Sequence, residues 1–208
     1  MGMGINRRFF FENARQRLFG GRFQQHQVHG LEAILDHWEQ TSPAKDDRWL
    51  AYMLGTAFHE TARTMQPVRE TLAPTDDKAI AILENAWRRG RLPWVSNPYW
   101  RRDPGGQTWL GRGLVQLTHP RNYEKLSRVT GMDLVTDPSV TLRMDVALRI
   151  MFLGMEQGSF TGHRLEQFFL GPKEDWLNAR RIINGVERAP QLADYGRAFY
   201  SCISYTTG

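Results

Sequence analysis

Cysteine is almost missing from this chain of 208 residues, with Cys202 the only one. No internal disulfide can form, so the small disulfide-stapled secreted scaffold is excluded. A redox or nucleophilic role for Cys202 is not expected, because it lies near the C-terminus in an apolar setting. No apolar run reaches the length of a membrane span, so no integral membrane association is expected. The first residues, MGMGINRRFFFENARQRLF, lack the apolar centre and small-residue cleavage site of a signal peptide. The expectation is synthesis in the cytoplasm and, for any outside substrate, release by a route the sequence does not show. Internal repeats and low-complexity linkers are lacking too, which leaves one domain over residues 1–208 as the expected organisation.

A strong charge bias is also lacking. Lys and Arg number 27 against 22 Asp and Glu, a formal charge of +5. That balance suits a polyanionic partner such as nucleic acid, an acidic membrane or bacterial wall polymer, but many soluble proteins share it. No nucleic-acid motif accompanies it, so no nucleic-acid partner is expected. The Arg-rich spots at Arg88, Arg89, Arg91, Arg101 and Arg102 read as solvated surface. His59-Glu60-Thr61 begins like the zinc motif His-Glu-x-x-His, but position 63 is Arg, so no metal site is expected. No Gly-x-Ser-x-Gly elbow supports a serine triad, and no glycine-rich phosphate loop follows a strand. No cofactor is expected.

What the chain has in quantity is helical periodicity. Helices are expected at about Asn6–Leu18, Gln24–Glu39, from Asp46-Asp47 into the Trp49 stretch, Asp76–Arg89, Pro120–Val129, Thr141–Gln157, Leu165–Phe169, Trp176–Ile183 and Ala189–Ile203. The 141–157 segment has almost no polar face, which marks a central buried helix. Residues 92–108 carry three prolines, two adjacent glycines, and Trp94, Tyr99 and Trp100 without helical spacing. They read as an ordered irregular loop or small strand ribbon, since linkers lack aromatics. Residues 109–119 read as a strand-like run. Trp94, Tyr99, Trp100 and Trp109 are candidates to stack on sugar rings, although packing is the better reading for each singly. The fold class is mainly α, with a small irregular or β-ribbon insert near residues 92–119.

The informative stretch is Trp49 to Glu70. At 100° per residue Trp49, Leu50, Met53, Leu54 and Ala57 share an apolar stripe, and Glu60 falls about 20° from Trp49, inside it. A carboxylate there is a paired structural charge or a proton donor, because desolvation raises a carboxyl pKa toward what a general acid needs. Glu70 follows ten residues on; along one straight helix the pair would stand about 15 Å apart. Pro67 should end the helix near Thr64–Gln66 and turn the chain back, letting the two carboxylates face each other across a cleft. The plainer alternatives are Glu60 as a salt-bridge partner for Arg112 and Glu70 as a loop charge.

Together with FHET at 58–61, Glu70, GRGLVQLTH at 111–119, Asn122-Tyr123 and IING at 182–185, this arrangement resembles glycoside hydrolase family 19. That family comprises chitinases and related phage endolysins of the lysozyme-like superfamily. The matches run in order over about two thirds of the chain. The resemblance implies a lysozyme-like helical fold, no metal or cofactor, and inverting hydrolysis of β-1,4 links in N-acetylglucosamine-containing polymer. It implies Glu60 as general acid, Glu70 as the base that activates water, and Thr118 as the hydroxyl that holds this water. Asn184 would orient water or an acetamido group. Gln116 and Tyr123 would contact sugar, Arg112 would tie the acids together electrostatically, and His59 would support the site.

Departures from the family pattern carry their own expectations. Ala62 and Arg63 stand where the family commonly has glycines, which would extend the helix. HPRNY at 119–123 replaces an asparagine-rich stretch. The absence of the plant enzymes' cysteines favours the phage or bacterial branch. The expected partner is therefore peptidoglycan rather than chitin, reached by a monomer through a holin-type route. The rival expectation is a non-catalytic cationic wall-binding module on the same shell.

Overall fold

The computed structural model describes residues 4–206. Seven α-helices form among them: α1 (Arg7–Arg17), α2 (Gln25–Thr41), α3 (Asp47–Glu60), α4 (Asp76–Arg88), α5 (Pro120–Thr130), α6 (Met144–Gln157) and α7 (Ala189–Tyr200). The chain is mainly helical, as its periodicity predicts. The helix starts follow local chemistry. Asn6 accepts the Phe9 amide at 3.0 Å, Asp46 accepts the Arg48 amide at 3.0 Å, and Thr75 accepts the Lys78 amide at 3.3 Å, each satisfying a donor the first turn leaves free. Gly131 and Gly158, at φ +68° and +72°, end α5 and α6 in the left-handed conformation that glycine adopts without strain.

Helix α3 lies at the centre. Every residue from Leu50 to Phe58 is buried, so it carries no single apolar stripe; it is enclosed on all sides. Helix α7 crosses it at a pair of glycines, where a Cβ on Gly55 would stand 2.9 Å from the Gly196 backbone nitrogen. Helix α6 is the second central element, packed against α5, α2 and α3, with Val146, Ile150, Met151 and Phe152 buried in the core. Each such fully buried aliphatic or aromatic side chain stabilises the fold by roughly 1.5–3 kcal/mol relative to exposure.

Four local expectations are corrected. Helix α3 ends at Glu60, before Pro67 can act, and Ala62-Arg63 does not prolong it. Thr61 is responsible: its hydroxyl donates to the Ala57 carbonyl at 2.7 Å and accepts the Met65 amide at 3.1 Å, so the chain turns at once. Ala62, Arg63 and Met65 then take φ values of +49°, +70° and +55°. The bend rests on α2 at Gly30, where a Cβ would lie 1.8 Å from the Met65 carbonyl oxygen.

The β-ribbon does not lie wholly within 92–119. Strand β1 (Val68–Arg69) pairs antiparallel with β2 (Arg112–Gly113), in register Val68 with Gly113 and Arg69 with Arg112. The third correction falls at the expected Leu165–Phe169 helix. It is one 3-10 turn, Leu165–Gln167, leading into a hairpin of β3 (Phe169–Leu170) and β4 (Lys173–Glu174). The segment expected helical over Trp176–Ile183 is likewise a 3-10 turn, Asn178–Ile182.

Residues 92–110 form the ordered irregular loop that their aromatics imply. Trp100 and Leu110 pack with Ala73, Ala79 and Leu83 in a small second core beneath α4. Asp103 pins the loop by accepting from the Gly105 and Gln107 amides and from the Trp109 indole, at 2.9–3.0 Å. This core and its loop form the platform on which Glu70 stands.

Candidate active site

Glu60 emerges at the last turn of α3, its side chain 15% exposed. Its partner is Arg180, whose Nη1 donates to Glu60 Oε1 at 2.9 Å. Arg180 comes from the 3-10 turn 178–182 and is itself only 6% exposed. The same turn sets Asn184, whose amide donates to the Arg180 carbonyl at 3.1 Å, so IING is brought to the Glu60 side. Asn184 is exposed, and its Oδ1 accepts the following Gly185 amide at 2.8 Å. His59 is half-buried beside Glu60. Burial depresses its pKa, and the neighbouring Arg180 and Arg188 add to this while Glu60 opposes it.

Glu70 sits in a loop that would not form cheaply by itself. Thr71 and Leu72, just after it, take φ values of +66° and +59°. For a β-branched residue such as Thr71 that conformation is costly. The carboxylate is fixed by neutral donors: the Tyr99 hydroxyl donates to Oε1 at 2.7 Å, and the Gly111 amide to Oε2 at 2.8 Å. The Glu70 amide in turn donates to the Gly111 carbonyl at 2.7 Å. Burial and then the Glu70 carboxylate push the Tyr99 phenol above its ordinary pKa, so it stays a proton donor in this bond. Gly111 is required by space: a Cβ would lie 2.8 Å from Gln116 Oε1 and 3.2 Å from Glu70 Oε2. Gln116, at φ +49°, is held by its Nε2 donating to the Val68 carbonyl at 3.1 Å. Thr118 is half-buried on the same run, and its carbonyl accepts from Asn122 Nδ2 at 2.8 Å.

Beyond Tyr99 an open hollow of ≈ 1050 Å³ continues the surface, lined by Trp94, Tyr99, Trp109, His119, Arg121, Asn122 and others. Neither Glu60 nor Glu70 lines it; Tyr99 links it to Glu70. Trp94 is 75% exposed there, whereas Trp100 and Trp109 are buried, with indoles donating to Glu84 and Asp103. Of the stacking candidates, Trp94 and Tyr99 remain. The Arg-rich spots are mostly exposed as expected, with Arg101 bridged to Glu84 and Arg102 to Asp77.

Two expected roles are corrected. Arg112 does not tie the acids together: it is 1% exposed, and its Nη2 donates to Asp76 Oδ2 at 2.6 Å. Glu60 pairs with Arg180 instead, so the salt-bridge alternative with Arg112 also falls. Tyr123 is fully buried, its hydroxyl donating to the Leu110 carbonyl at 3.0 Å and accepting from Arg112, so it stands behind the site wall and not against a ligand.

Sequence reading missed Arg180, Asp76 and the bonding role of Tyr99. Arg180 had one signal, its place two residues before IING. Asp76 resembled any acid in a first helical turn.

The strained backbone is not scattered. All eight non-glycine residues with positive φ among the described residues fall at 62–65, 71–72, 116–119 and 188. These segments flank Glu60, follow Glu70, run through the GRGLVQLTH segment and follow Asn184. Such outliers persist only where surrounding structure over-determines them, and they gather at functional sites. No family model, curated protein or solved structure matches the chain, so its own geometry carries the functional argument.

Proposed function

We propose that this protein is a cofactor-independent, inverting glycoside hydrolase of lysozyme-like fold that cleaves β-1,4 links in N-acetylglucosamine-containing polymer. Bacterial peptidoglycan is the preferred substrate, and lysis of a host wall by a phage or prophage is the context. The observation that supports this best is the pair of fixed, water-reachable carboxylates, Glu60 and Glu70, bracketing a strained bend, Glu60 held through one oxygen by Arg180 and Glu70 through both by Tyr99 and Gly111.

In this reading Glu60 delivers a proton from Oε2, the oxygen Arg180 leaves free, to the glycosidic oxygen. Glu70 takes a proton from water on the opposite face of the sugar, and Thr118 holds that water by its hydroxyl. Inversion needs this division of labour between two carboxyl groups and forms no covalent intermediate. Asn184 and Gln116 orient the saccharide, His59 supports Glu60, and Trp94 and Tyr99 offer ring faces along the hollow.

The Glu60–Arg180 pair also suits a second reading, a non-catalytic wall-binding module in which Glu60 is only structural. Clearing of permeabilised Gram-negative cells separates the two. Glu60→Gln should bind wall but lose clearing; clearing that persists in this variant removes Glu60 as the acid, and a wild-type chain that binds wall without clearing removes the enzyme reading. Purified sacculi and colloidal chitin, offered in parallel, then decide the polymer.

A further inference from the structure

Asp76 is where the ribbon beside Glu70 is fastened to the rest of the molecule. Its Oδ1 accepts from Arg69 Nε at 2.7 Å and its Oδ2 from Arg112 Nη2 at 2.6 Å. Those two arginines face each other across β1 and β2. One residue beyond Arg69 stands Glu70, and one residue before Arg112 stands Gly111, whose amide holds the Glu70 carboxylate. Arg112 is anchored further inward, with Nη1 donating to the Thr108 carbonyl and the Tyr123 hydroxyl, both at 3.0 Å. Asp76 itself occupies the first turn of α4, where the helix dipole favours a carboxylate.

Two like charges directly opposite on paired strands repel one another. Asp76 grips both strands: without its bond to Arg69, β1 is held to β2 by ribbon pairing alone at the residues that set Glu70, and without its carboxylate Arg69 and Arg112 would in addition repel one another. We propose that Asp76 is a positioning residue for Glu70: it neutralises Arg69 and Arg112 together and so fixes the ribbon from which Gly111 grips the Glu70 carboxylate. This rests on the glycosidase reading for its catalytic consequence, but the clamp itself is testable without activity.

The experiment uses the full chain with Arg69→Met, which leaves the Arg112–Asp76 pair in place, and Asp76→Asn, which removes the clamp. Amide exchange of Gly111, followed by NMR against the core amide of Leu54, reports the grip. In Arg69→Met it should quicken about tenfold relative to Leu54, and more in Asp76→Asn. On purified sacculi kcat should fall on the order of tenfold in Arg69→Met with KM within about twofold, as expected when a base is misplaced but binding is not. Unchanged Gly111 exchange alongside a lower melting temperature overturns the proposal and leaves Asp76 merely structural. Faster exchange with unchanged kcat overturns it as well. Should Asp76→Asn fail to fold, Arg69→Met decides alone. If the wild-type chain releases nothing from sacculi or chitin, the glycosidase reading fails while Gly111 exchange still judges the clamp.

Discussion

Glu60 and Glu70 are ten residues apart in the chain, yet they are held by opposite means. Glu60 ends an enclosed helix and faces a buried guanidinium brought from Arg180. Glu70 stands on an irregular loop, and its immediate partners are neutral, the Tyr99 hydroxyl and the Gly111 amide. Charge has been moved one layer back on that side, to Asp76 between Arg69 and Arg112. A guanidinium in direct contact ties Glu60 through one oxygen, whereas two neutral donors hold both oxygens of Glu70. The contrast shows how one bend can fix two carboxylates by different means.

The largest expected effect tests the charged side. Arg180→Met leaves Glu60 beside an apolar wall with no counter-charge, and breaking such a pair should cost about 3 kcal/mol. Tyr99→Phe removes one neutral donor from Glu70 and should cost about 1 kcal/mol. Urea unfolding of the two variants measures the difference directly. Equal losses would erase the contrast.

Space sharpens it next. Gly55→Ala puts a methyl 2.9 Å from the Gly196 nitrogen, a backbone atom that cannot swing away. It should lower stability by about 1–3 kcal/mol and leave kcat nearly unchanged. Gly111→Ala meets side chains instead, those of Gln116 and Glu70, which can move. It should lower kcat on the order of tenfold or more with a smaller stability loss, since displacing a reacting group by a fraction of an ångström suffices. Comparing kcat with melting temperature in the two variants tells whether structure and chemistry are separable.

Acidification should weaken the two sides at different pH. His59 is depressed below its ordinary 6.5, chiefly by burial, so the folded protein favours neutral imidazole. Its contribution is present above 6.5 and is lost as pH falls through the lower folded value. Burial alone would raise Asp76, but hydrogen bonds from Arg112 and Arg69 outweigh it and hold the carboxyl below 3.8. That contribution persists above 3.8 and is lost as pH falls further. Melting temperature measured from pH 8 to 2 should show two successive declines, with His59→Gln shrinking only the first, to which His37, also depressed by burial, contributes the remainder.

Helices were legible because their periodicity is a local property of the chain, and α1 to α7 form where apolar spacing puts them. Glu60 was conspicuous for the same reason, as an acid inside an apolar stripe, whereas Glu70 stood out only as the next carboxylate beyond Pro67 and through the family resemblance. Arg180 was not, because its burial depends on a contact 120 residues away and its 3-10 turn has no apolar rhythm. The end of α3 was misplaced because Pro67 is a louder signal than Thr61, whose hydroxyl does the turning. Arg112 was assigned to the acids because the sequence offers no sign that Asp76 would reach it first.

The smallest effect concerns backbone strain on the two sides. A non-glycine residue in the left-handed region costs about 1–2 kcal/mol, and glycine in its place returns roughly 0.5–1 kcal/mol of that as unfolded-chain entropy. Ala62, at φ +49° and exposed just after Glu60, should therefore gain about 0.5 kcal/mol as Ala62→Gly. Thr71, at φ +66° and exposed just after Glu70, bears the added penalty of a β-branched side chain and should gain about 1 kcal/mol as Thr71→Gly. Denaturant midpoints resolve gains of this size in a chain of 208 residues. If the strain beside Glu70 serves to aim it, Thr71→Gly should also lower kcat while Ala62→Gly leaves it intact, because Glu60 is held by Arg180 whatever the turn behind it does. A Thr71→Gly protein both more stable and fully active would mean that the loop's strain is incidental, and that Tyr99 and Gly111 alone set the second carboxylate.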